Sequence, residues 1–231
     1  MQGVGCSTRE VPLFSNNPIT SCTECTLGQA AGEKRCNFAP VTLPSGTALC
    51  TQGERSRAVY FVKAGLVSLS AASASGAEEI LMVRGPASLL CVEAMRGHSS
   101  PYEVRALTRV RLCSLPAEEM KRWIGPLRSP AQAVLDLLLE ESGAQRAEVN
   151  FREGSCLRRV ARFALAYAEF LAERPDAVRK EVLARMLGMR PETLSRCLTR
   201  LERLGAIDAS HGVRVQYPRL LSSVAYSGAT A

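Results

Sequence analysis

The stretch from Glu181 to Gly205 constrains the fold of this chain more than any other part of its sequence. Apolar residues recur there at helical spacing on both sides of Gly188, which predicts two short helices joined by a tight turn. Gly188 can adopt the left-handed conformation that ends a helix, and Pro191 is tolerated at the first position of the next helix. The apolar stripe of the second helix consists of Leu194, Cys197, Leu198, Leu201 and Leu204. This pattern is typical of a helix-turn-helix, and the simpler alternative is a helical hairpin whose polar face is only solvated.

The opposite face of the second predicted helix is polar, and its charged residues are mostly basic. It carries Glu192, Ser195, Arg196, Thr199, Arg200 and Arg203. In a helix-turn-helix the second helix enters the major groove of DNA, where its first turns meet base edges. After this helix, His211-Gly212 has the composition of a turn between two short strands, and on this small wing Arg214 could approach a phosphate backbone. The sequence therefore predicts a winged helix-turn-helix that binds double-stranded DNA.

The charge distribution also favours a nucleic-acid partner. Residues 151–231 hold 14 Lys and Arg against 8 Asp and Glu, whereas residues 1–150 hold 15 against 14. The net charge of +7 is therefore concentrated where the helix-turn-helix lies, and there it can attract phosphate groups. No run approaches the roughly 18–20 apolar residues of a membrane span, and the first residues do not resemble a secretion signal. We therefore expect a cytoplasmic protein without a membrane partner.

Cysteines are concentrated near the start of the chain. Cys22, Cys25 and Cys36 form a C-x2-C-x10-C pattern in a segment with little hydrophobic periodicity. Two thiolates separated by two residues can bind one centre, and a fourth ligand from elsewhere would complete an all-thiolate site for an iron–sulfur cluster or a zinc ion. The chain has nine cysteines, and an odd number argues against a disulfide framework. The alternative is that these thiols bind no metal.

The middle of the chain, from Gly46 to Leu115, is rich in short strand-like runs separated by turn signals. Two runs lie on either side of Ala64-Gly65, and a loop of small residues, SAASASGAEE, precedes the next one. Strands at this spacing predict an antiparallel sandwich or barrel-like domain. Pro116 then starts a helix with acidic residues in its first turn, and Cys113 lies just ahead of it.

A long helix is predicted from Ser129 to Ala147, with Ser129 as its cap and Pro130 at its first position. Its apolar stripe consists of Ala131, Val134, Leu137 and Leu138. A helix of this kind between two domains can pair with its twin and make the protein a dimer, or it can pack only on its own β domain. Gly154 marks the beginning of the C-terminal domain.

A β-roll, a long connecting helix and a C-terminal winged helix, in this order, resemble the Crp/Fnr family of bacterial transcription regulators. The resemblance covers nearly the whole chain from Ala48 to Val215 and is strongest at LGMRPETLSRCLTRL and VYFVKAGLV. It implies an α+β fold and a homodimer that contacts RNA polymerase. The expected domains are residues 1–45, a cysteine-rich segment; 46–128, a cyclic-nucleotide-binding-like β-roll; 129–150, a dimerisation helix; and 151–231, a winged helix-turn-helix domain.

Within the family, the chain is most similar to the Fnr branch, the oxygen-responsive regulators with a 4Fe–4S cluster. That branch has an N-terminal cysteine group beginning C-x2-C and a fourth cysteine late in the β-roll. The resemblance therefore implies that Cys22, Cys25, Cys36 and Cys113 are the cluster ligands. The loop between Cys25 and Cys36 is longer than is usual in the family, so Cys50 stays an alternative to Cys36 as third ligand.

The recognition helix also resembles the Fnr branch, because its E-x2-S-R motif is present as Glu192, Ser195 and Arg196. The resemblance implies TTGAT-type half-sites arranged as an inverted repeat. The chemistry agrees, since Arg196 can donate two hydrogen bonds to a guanine and Glu192 can accept one from a cytosine amino group. In the free protein the same two side chains could form an i, i+4 ion pair. The predicted DNA-binding set is completed by Thr199, Arg200 and Arg214.

A cyclic nucleotide is not expected as a ligand. The cyclic-nucleotide branch of the family holds the ligand phosphate with a Gly-Glu pair and an Arg-Ser pair, and the corresponding places here read Cys91-Val92 and Ser100-Pro101. The sequence thus predicts a regulator that senses oxygen, or redox state or nitric oxide, through a 4Fe–4S cluster. The alternative is a regulator of the same type whose cysteines form a zinc site or a thiol redox switch. We do not expect an enzyme, because no nucleophile, base and orienting group come together around the two histidines.

Overall fold

The computed structural model describes residues 18–32, 36–72, 78–125, 128–173 and 178–226. The α-helices in this part of the chain are α1 (Thr26–Ala30), α2 (Ala117–Ile124), α3 (Arg128–Val149), α4 (Cys156–Ala166), α5 (Ala168–Glu173), α6 (Lys180–Met186), α7 (Pro191–Arg203) and α8 (Pro218–Tyr226). The strands are β1 (Ala39–Leu43), β2 (Ala48–Cys50), β3 (Ala58–Ala64), β4 (Val67–Ala72), β5 (Glu78–Arg84), β6 (Leu89–Leu90), β7 (Glu103–Ala106), β8 (Val110–Pro116), β9 (Ile207–Asp208) and β10 (Arg214–Val215). A 3-10 turn covers Val92–Arg96, and another covers Asn150–Arg152.

Two antiparallel four-stranded sheets form the N-terminal β-roll. Their strand orders are β1-β8-β3-β6 and β2-β7-β4-β5. Buried side chains from both sheets, among them Val62 and Leu112 of the first and Val67 and Val104 of the second, share one apolar cluster. Removal of this apolar area from water stabilises the roll. The predicted α+β fold class is confirmed.

The first strand lies outside the predicted limits of the β-roll. β1 pairs with β8 from Ala39 opposite Ser114 to Leu43 opposite Val110. The sheet therefore begins ahead of the predicted boundary between residues 45 and 46. β1 is an edge strand whose side chains are mostly exposed, so its sequence lacks the alternation of apolar and polar residues that identifies a half-buried strand.

The two runs around Ala64-Gly65 are strands, but they do not form a hairpin with each other. β3 pairs with β6 and β8, whereas β4 pairs with β5 and β7, so Gly65 carries the chain from one sheet to the other. Its φ is +88°, and a Cβ there would lie 2.4 Å from the carbonyl oxygen of Arg109. Only glycine fits this crossing. β4 and β5 pair as a hairpin up to Ala72 opposite Glu78, so both ends of the predicted loop of small residues belong to strands, and its middle, 73–77, lies outside the described residues.

The long helix α3 begins at Arg128, ahead of the predicted cap at Ser129, and ends at Val149, beyond the predicted end at Ala147. Val134 and Leu137 are buried against the β-roll. On another face of the same helix, Leu135 is 49% exposed and Leu139 is 62% exposed. Among the described residues, no helix is long and apolar enough to cross a membrane.

The C-terminal unit begins after Gly154, where the Ser155 hydroxyl accepts a hydrogen bond from the backbone N–H of Arg158 and caps α4. Helices α6 and α7 form the predicted helix-turn-helix, and β9 and β10 pair as the predicted wing. The unit packs on the β-roll through one continuous apolar cluster, and Arg185 of α6 forms an ion pair with Glu78 of β5 at 2.9 Å. One predicted core residue is wrong: Leu204 follows the last turn of α7 and is 48% exposed.

Candidate DNA-binding surface and cysteine site

Helix α7 presents a polar face to solvent along its whole length. The predicted base-reading side chains Glu192, Ser195 and Arg196 are exposed in its first two turns. Thr199 and Arg200 follow them on the same face and are also exposed. The buried stripe opposite consists of Leu194, Cys197, Leu198 and Leu201. Because this stripe anchors the helix in the domain core, the exposed face is held at the surface as predicted.

The ion pair that Glu192 and Arg196 could form in the free protein is absent. In the described part of the chain, neither side chain takes part in an ion pair or a side-chain hydrogen bond. Exposed polar groups of this kind are hydrated, and their exchange of water for a base edge breaks no intramolecular bond. Both groups are therefore available for contacts with bases.

The turn before α7 is held by an arginine that the sequence reasoning missed. Gly188 has a φ of +60°, as its predicted role in ending α6 requires. The Arg159 guanidinium of α4 donates to the carbonyl oxygens of Gly154 at 3.1 Å, Leu187 at 3.3 Å and Gly188 at 3.5 Å. These bonds tie α4 to the end of α6 and so fix where α7 begins. In the sequence, Arg159 belongs to a basic run in an amphipathic helix, which gave no signal for this role.

The wing is stabilised at its turn. The Asp208 carboxylate accepts hydrogen bonds from the Ser210 hydroxyl at 2.6 Å and from the Ser210 backbone N–H at 2.9 Å, and these bonds lower the pKa of Asp208. His211 lies in this turn, and its ring nitrogen shares a hydrogen bond with the Ser210 hydroxyl. Arg214 lies opposite Asp208 in the two-stranded sheet and is exposed. The wing therefore presents a cation beside the recognition unit.

The four cysteines predicted as ligands lie in one neighbourhood. Burial is the largest cause that raises the pKa of Cys36 and of Cys113. Negative charge on Cys22 and Cys25 raises both pKa values further, and negative charge on Cys36 also raises the pKa of Cys113. Cys25 is buried, Cys36 and Cys113 are half-buried, and Cys22 is exposed. In the described residues no three such side chains are arranged to hold a metal ion. The structure thus brings the thiols near one another without the spacing of a metal site.

The segment that carries Cys22 and Cys25 is anchored on the β-roll by a helix that was not predicted. α1 begins directly after Cys25, and its Leu27 is 1% exposed in the cluster formed by the roll and α3. The neighbouring Gly28 passes so close to Cys22 that a Cβ would lie 2.0 Å from the Cys22 carbonyl oxygen. Side chains cannot be added at this position without moving the cysteine segment.

Cys50, the alternative third ligand, lies elsewhere. It is buried with Cys91 in the apolar cluster between the two sheets, and its thiol donates a hydrogen bond to the carbonyl oxygen of Thr51 at 3.6 Å. Burial first, and then the nearby Cys50 thiol, raise the pKa of Cys91. Cys91 has a φ of +58° at the place where the family's ligand-binding Gly-Glu pair would stand. Cys36 is therefore the better neighbour for Cys22 and Cys25, and Cys6 lies outside the described residues.

Comparison with known proteins gives two matches to protein families. Residues 40–125 match the cyclic nucleotide-binding domain, and residues 158–224 match the Crp-like helix-turn-helix domain. Comparison with curated protein sequences gives no match.

Several solved structures have a similar fold. FixK2 from Bradyrhizobium japonicum is 17% identical, with a TM-score of 0.73 over 82% of this chain and 98% of that one. A CRP-family transcriptional regulator from Thermus thermophilus is 22% identical, with a TM-score of 0.68 over 80% and 96%. A CRP/FNR-family regulator from the same organism is 25% identical, with a TM-score of 0.63 over 81% and 98%. With both domains in this order, the chain is a DNA-binding transcription regulator of the Crp/Fnr type, a class of proteins that are not enzymes.

Proposed function

We propose that this regulator is a cytoplasmic homodimer whose DNA affinity depends on a 4Fe–4S cluster that responds to oxygen, or to nitric oxide or another redox signal. The observation that carries the proposal is the convergence of Cys22, Cys25, Cys36 and Cys113. Cys113 is far from the other three in sequence, but it shares one apolar cluster with Cys25 and Cys36. A convergence of this kind is not needed for packing alone, since small apolar side chains would fill the same space.

The chemistry of the four donors suits the proposed group, but the thiols would have to move closer together to hold it, because no three of them are arranged for a metal ion in the described residues. Four thiols are the ligands of a 4Fe–4S cluster, and three of the four are at least half-buried, as suits a centre that must be shielded from solvent. When bound, the cluster would supply a redox-active group that is damaged by oxygen. The thiols of Cys22, Cys25, Cys36 and Cys113 would hold it. Metal binding of this kind also requires the segment around α1 to close on the roll, which couples binding to local folding.

The cysteine segment is packed against the helix that we expect to form the dimer. Leu27 of α1 shares an apolar cluster with Val134 and Leu137 of α3. On the remaining surface of α3, Leu135 and Leu139 are exposed one helical turn apart, as an apolar surface for a second copy of the helix would be. A change in the order of α1 therefore alters the support of α3 on the side opposite to its proposed partner, and in this way the thiols can influence dimerisation.

Dimerisation would in turn set the DNA affinity. Two recognition helices about 34–36 Å apart reach successive major grooves, whereas a monomer makes half of these contacts. The free and exposed Glu192, Ser195 and Arg196 support recognition of TTGAT-type half-sites in an inverted repeat. In such a half-site Arg196 would donate to the guanine, and Glu192 would accept from the cytosine amino group on the opposite strand. Bound in this way, the dimer would act on RNA polymerase.

Purification without oxygen tests the proposal. The protein should be brown and contain iron and sulfide in equal amounts, and exposure to air should bleach it and weaken its binding to a duplex that carries the inverted TTGAT repeat. Cys113→Ser should lose the iron, whereas the matched variant Cys156→Ser, whose thiol lies in the C-terminal unit, should keep it. The proposal is wrong if the anaerobic protein contains neither iron nor sulfide, or if Cys113→Ser responds to air as the unmodified protein does.

The same four thiols also suit a tetrahedral zinc ion, so a zinc site is the second candidate. A zinc-bound protein would be colourless, would contain one type of metal and no sulfide, and would keep its DNA affinity in air. Elemental analysis of the anaerobic protein and its visible spectrum distinguish the two centres.

A further inference from the structure

An apolar groove lies on the C-terminal unit, between the end of α7 and the beginning of α8. It has a volume of about 670 Å³ and is lined by Leu204, Tyr217, Pro218, Arg219 and Leu220. Six large apolar side chains are exposed in the described part of the chain, and Leu204, Tyr217 and Leu220 are three of them. Apolar side chains scattered singly over a surface are ordinary, whereas a group of them around one groove marks an interaction site.

The walls of the groove are held in place by the interior of the unit. The carbonyl oxygen of Ala206 accepts hydrogen bonds from the backbone N–H groups of Gln216 at 3.0 Å and Tyr217 at 3.2 Å, so the chain that enters α8 is fixed beside the chain that leaves α7. On the buried sides, Leu201 of α7 and Leu221 of α8 are both 0% exposed in one apolar cluster. The groove therefore exists before a partner binds, and binding would require little ordering of the backbone.

The groove lies at the opposite end of α7 from the predicted base-reading residues. These residues are in the first two turns, and Leu204 is about 12 Å further along the helix axis than Arg196, from the rise per residue of an α-helix. Surfaces that bind DNA are polar and strongly basic, whereas four of the five residues that line the groove are apolar or aromatic. A duplex is therefore not the partner that suits the groove.

The charge at the groove is positive. The Arg219 side chain is exposed and takes part in no ion pair or side-chain hydrogen bond within the described residues. From Arg214 to Tyr226 the chain carries no acidic residue, and the carboxylate of Glu202 holds the wing by accepting a hydrogen bond from the backbone N–H of Ala209 at 3.1 Å. Two copies of the chain that faced each other here would bring their arginines together, which disfavours self-association. The groove is thus complementary to carboxylates around an apolar side chain.

We propose that this groove docks an acidic segment of a partner protein, in which a large apolar side chain lies between Asp or Glu residues. The apolar side chain fills the space between Leu204, Tyr217 and Leu220, and a carboxylate pairs with the guanidinium of Arg219. The regulator can hold this partner while α7 is on DNA, because the two surfaces are at opposite ends of the helix. The inference depends neither on the cysteine site nor on the sequence of the half-site.

Selection of phage-displayed random peptides on the immobilised full-length protein tests the inference. The enriched peptides should share an aromatic or aliphatic residue flanked by Asp or Glu. Fluorescence anisotropy then measures the affinity of one enriched peptide, made synthetically, for the protein and its variants. Leu204→Ala should weaken binding on the order of tenfold. The matched variant Tyr226→Ala, which removes an exposed side chain at the other end of α8, should bind the peptide as the unmodified protein does.

Reversal of the charge tests the role of the arginine. Arg219→Glu should weaken binding of the acidic peptide by at least about tenfold, whereas a peptide whose Asp and Glu are replaced by Lys should bind Arg219→Glu better than the unmodified protein. Arg96→Glu makes the same charge change on the surface of the β-roll and should leave both affinities unchanged. Thermal unfolding shows whether each variant is folded, and Arg219→Gln takes the place of Arg219→Glu if the reversed charge prevents folding.

The alternative occupants of the groove give different results. The inference is overturned if no peptide is enriched, if the enriched peptides lack carboxylates, or if they bind Leu204→Ala as tightly as the unmodified protein. Displacement of the peptide by a DNA duplex would assign the groove to the DNA surface, and a lower mass of Leu204→Ala in sedimentation would assign it to an interface between copies. Either result also overturns the inference. Iron content and the response to air test the proposed function separately, since neither enters these measurements.

Discussion

The recognition helix and the cysteine site differ in how much of the chain each one needs. The exposed face of α7 comes from 13 consecutive residues, and its orientation follows from one buried stripe on the same helix. The cysteine site takes its thiols from the segment around α1 and from β8 and part of its packing from α3, and Lys63 of β3 donates a hydrogen bond to the Ser21 carbonyl oxygen in the same segment. The surface proposed to read DNA is thus a local structure, whereas the site proposed to control it depends on tertiary contacts. Substitutions of residues that are neither thiols nor exposed side chains of α7 should therefore damage the cysteine site far more than the exposed face of α7.

The largest effect is expected from Leu27→Ala. Leu27 touches no DNA and carries no thiol, but it anchors α1, and its truncation should lower the free energy of unfolding by about 2–5 kcal/mol. Iron content after anaerobic purification should fall with it. Leu204→Ala removes the same atoms from an exposed position and should change the free energy of unfolding by less than about 0.5 kcal/mol. Denaturant titration measures the free energy of unfolding, and elemental analysis measures the iron content. An unchanged iron content in Leu27→Ala would show that the cysteine site does not depend on the packing of α1.

Arg196→Ala should have the next largest effect, and on DNA binding alone. Loss of two hydrogen bonds to a guanine should weaken binding by about 1–3 kcal/mol per half-site and relax the preference for that base. Fluorescence anisotropy at constant salt, with a TTGAT repeat and a repeat in which the guanine is replaced, measures both effects. Arg203→Ala, in the last turn of α7, should weaken binding to both duplexes equally. If Arg196→Ala and Arg203→Ala kept the same preference for the guanine, the proposal that Arg196 contacts this base would be contradicted.

Gly188→Ala tests the turn that sets the start of α7. A Cβ at this position has room, since the nearest atom is Nη1 of Arg159 at 4.0 Å, but the φ of +60° should cost an alanine about 1–2 kcal/mol. Asparagine tolerates this conformation better, so Gly188→Asn should be closer to the unmodified protein. Thermal unfolding measures the difference, and iron content should stay constant in both variants. An equal loss for alanine and asparagine would show that space, rather than φ, limits this position.

The smallest effect is expected at the contact between the β-roll and the C-terminal unit, where Glu78 of β5 forms an ion pair with Arg185 of α6. A hydrogen bond from the Ser70 hydroxyl, and then the Arg185 guanidinium, lower the pKa of Glu78 below its ordinary value of 4.5. The folded state therefore holds this proton less tightly than the unfolded state, and the stabilisation is present above pH 4.5 and lost as the pH falls through the lower folded value. Glu78→Gln should remove this part of the acid sensitivity, an effect below about 1 kcal/mol for a partly exposed pair. Urea unfolding between pH 7 and pH 3 measures it, and Ser70→Ala should reproduce most of it.

The helix-turn-helix could be predicted from the sequence because its signals are local. Pro191 does begin α7, and Gly188 does end the preceding turn with a positive φ. Each of these signals depends on the conformational limits of one residue. Leu204 shows where this reasoning fails, because helical spacing alone cannot tell whether the core still covers the final turn.

The cysteine site could be predicted only as a set of ligands. α1 has five residues and no side-chain hydrogen bond at its cap, so it has no signal of its own and depends on the burial of Leu27. Lys63 reads in the sequence as the polar end of a strand, and the bulge that turns it toward Ser21 arises from the pairing with β8. The strands β3 and β4 were recognised for the same local reasons as α7, but alternation does not determine which strands become neighbours.

The apolar cluster of the C-terminal unit includes Leu66, Ile80 and Val83 of the β-roll beside Phe163 and Leu183. The two domains are joined by a helix, which suggests that they could be exchanged between regulators as separate units. The shared apolar cluster makes such an exchange harder. A chimera that took its C-terminal unit from another protein would leave Ile80 and Val83 against an unmatched surface, however well the grafted helix read its own DNA. In this chain, the β-roll and the C-terminal unit would have to change together in evolution.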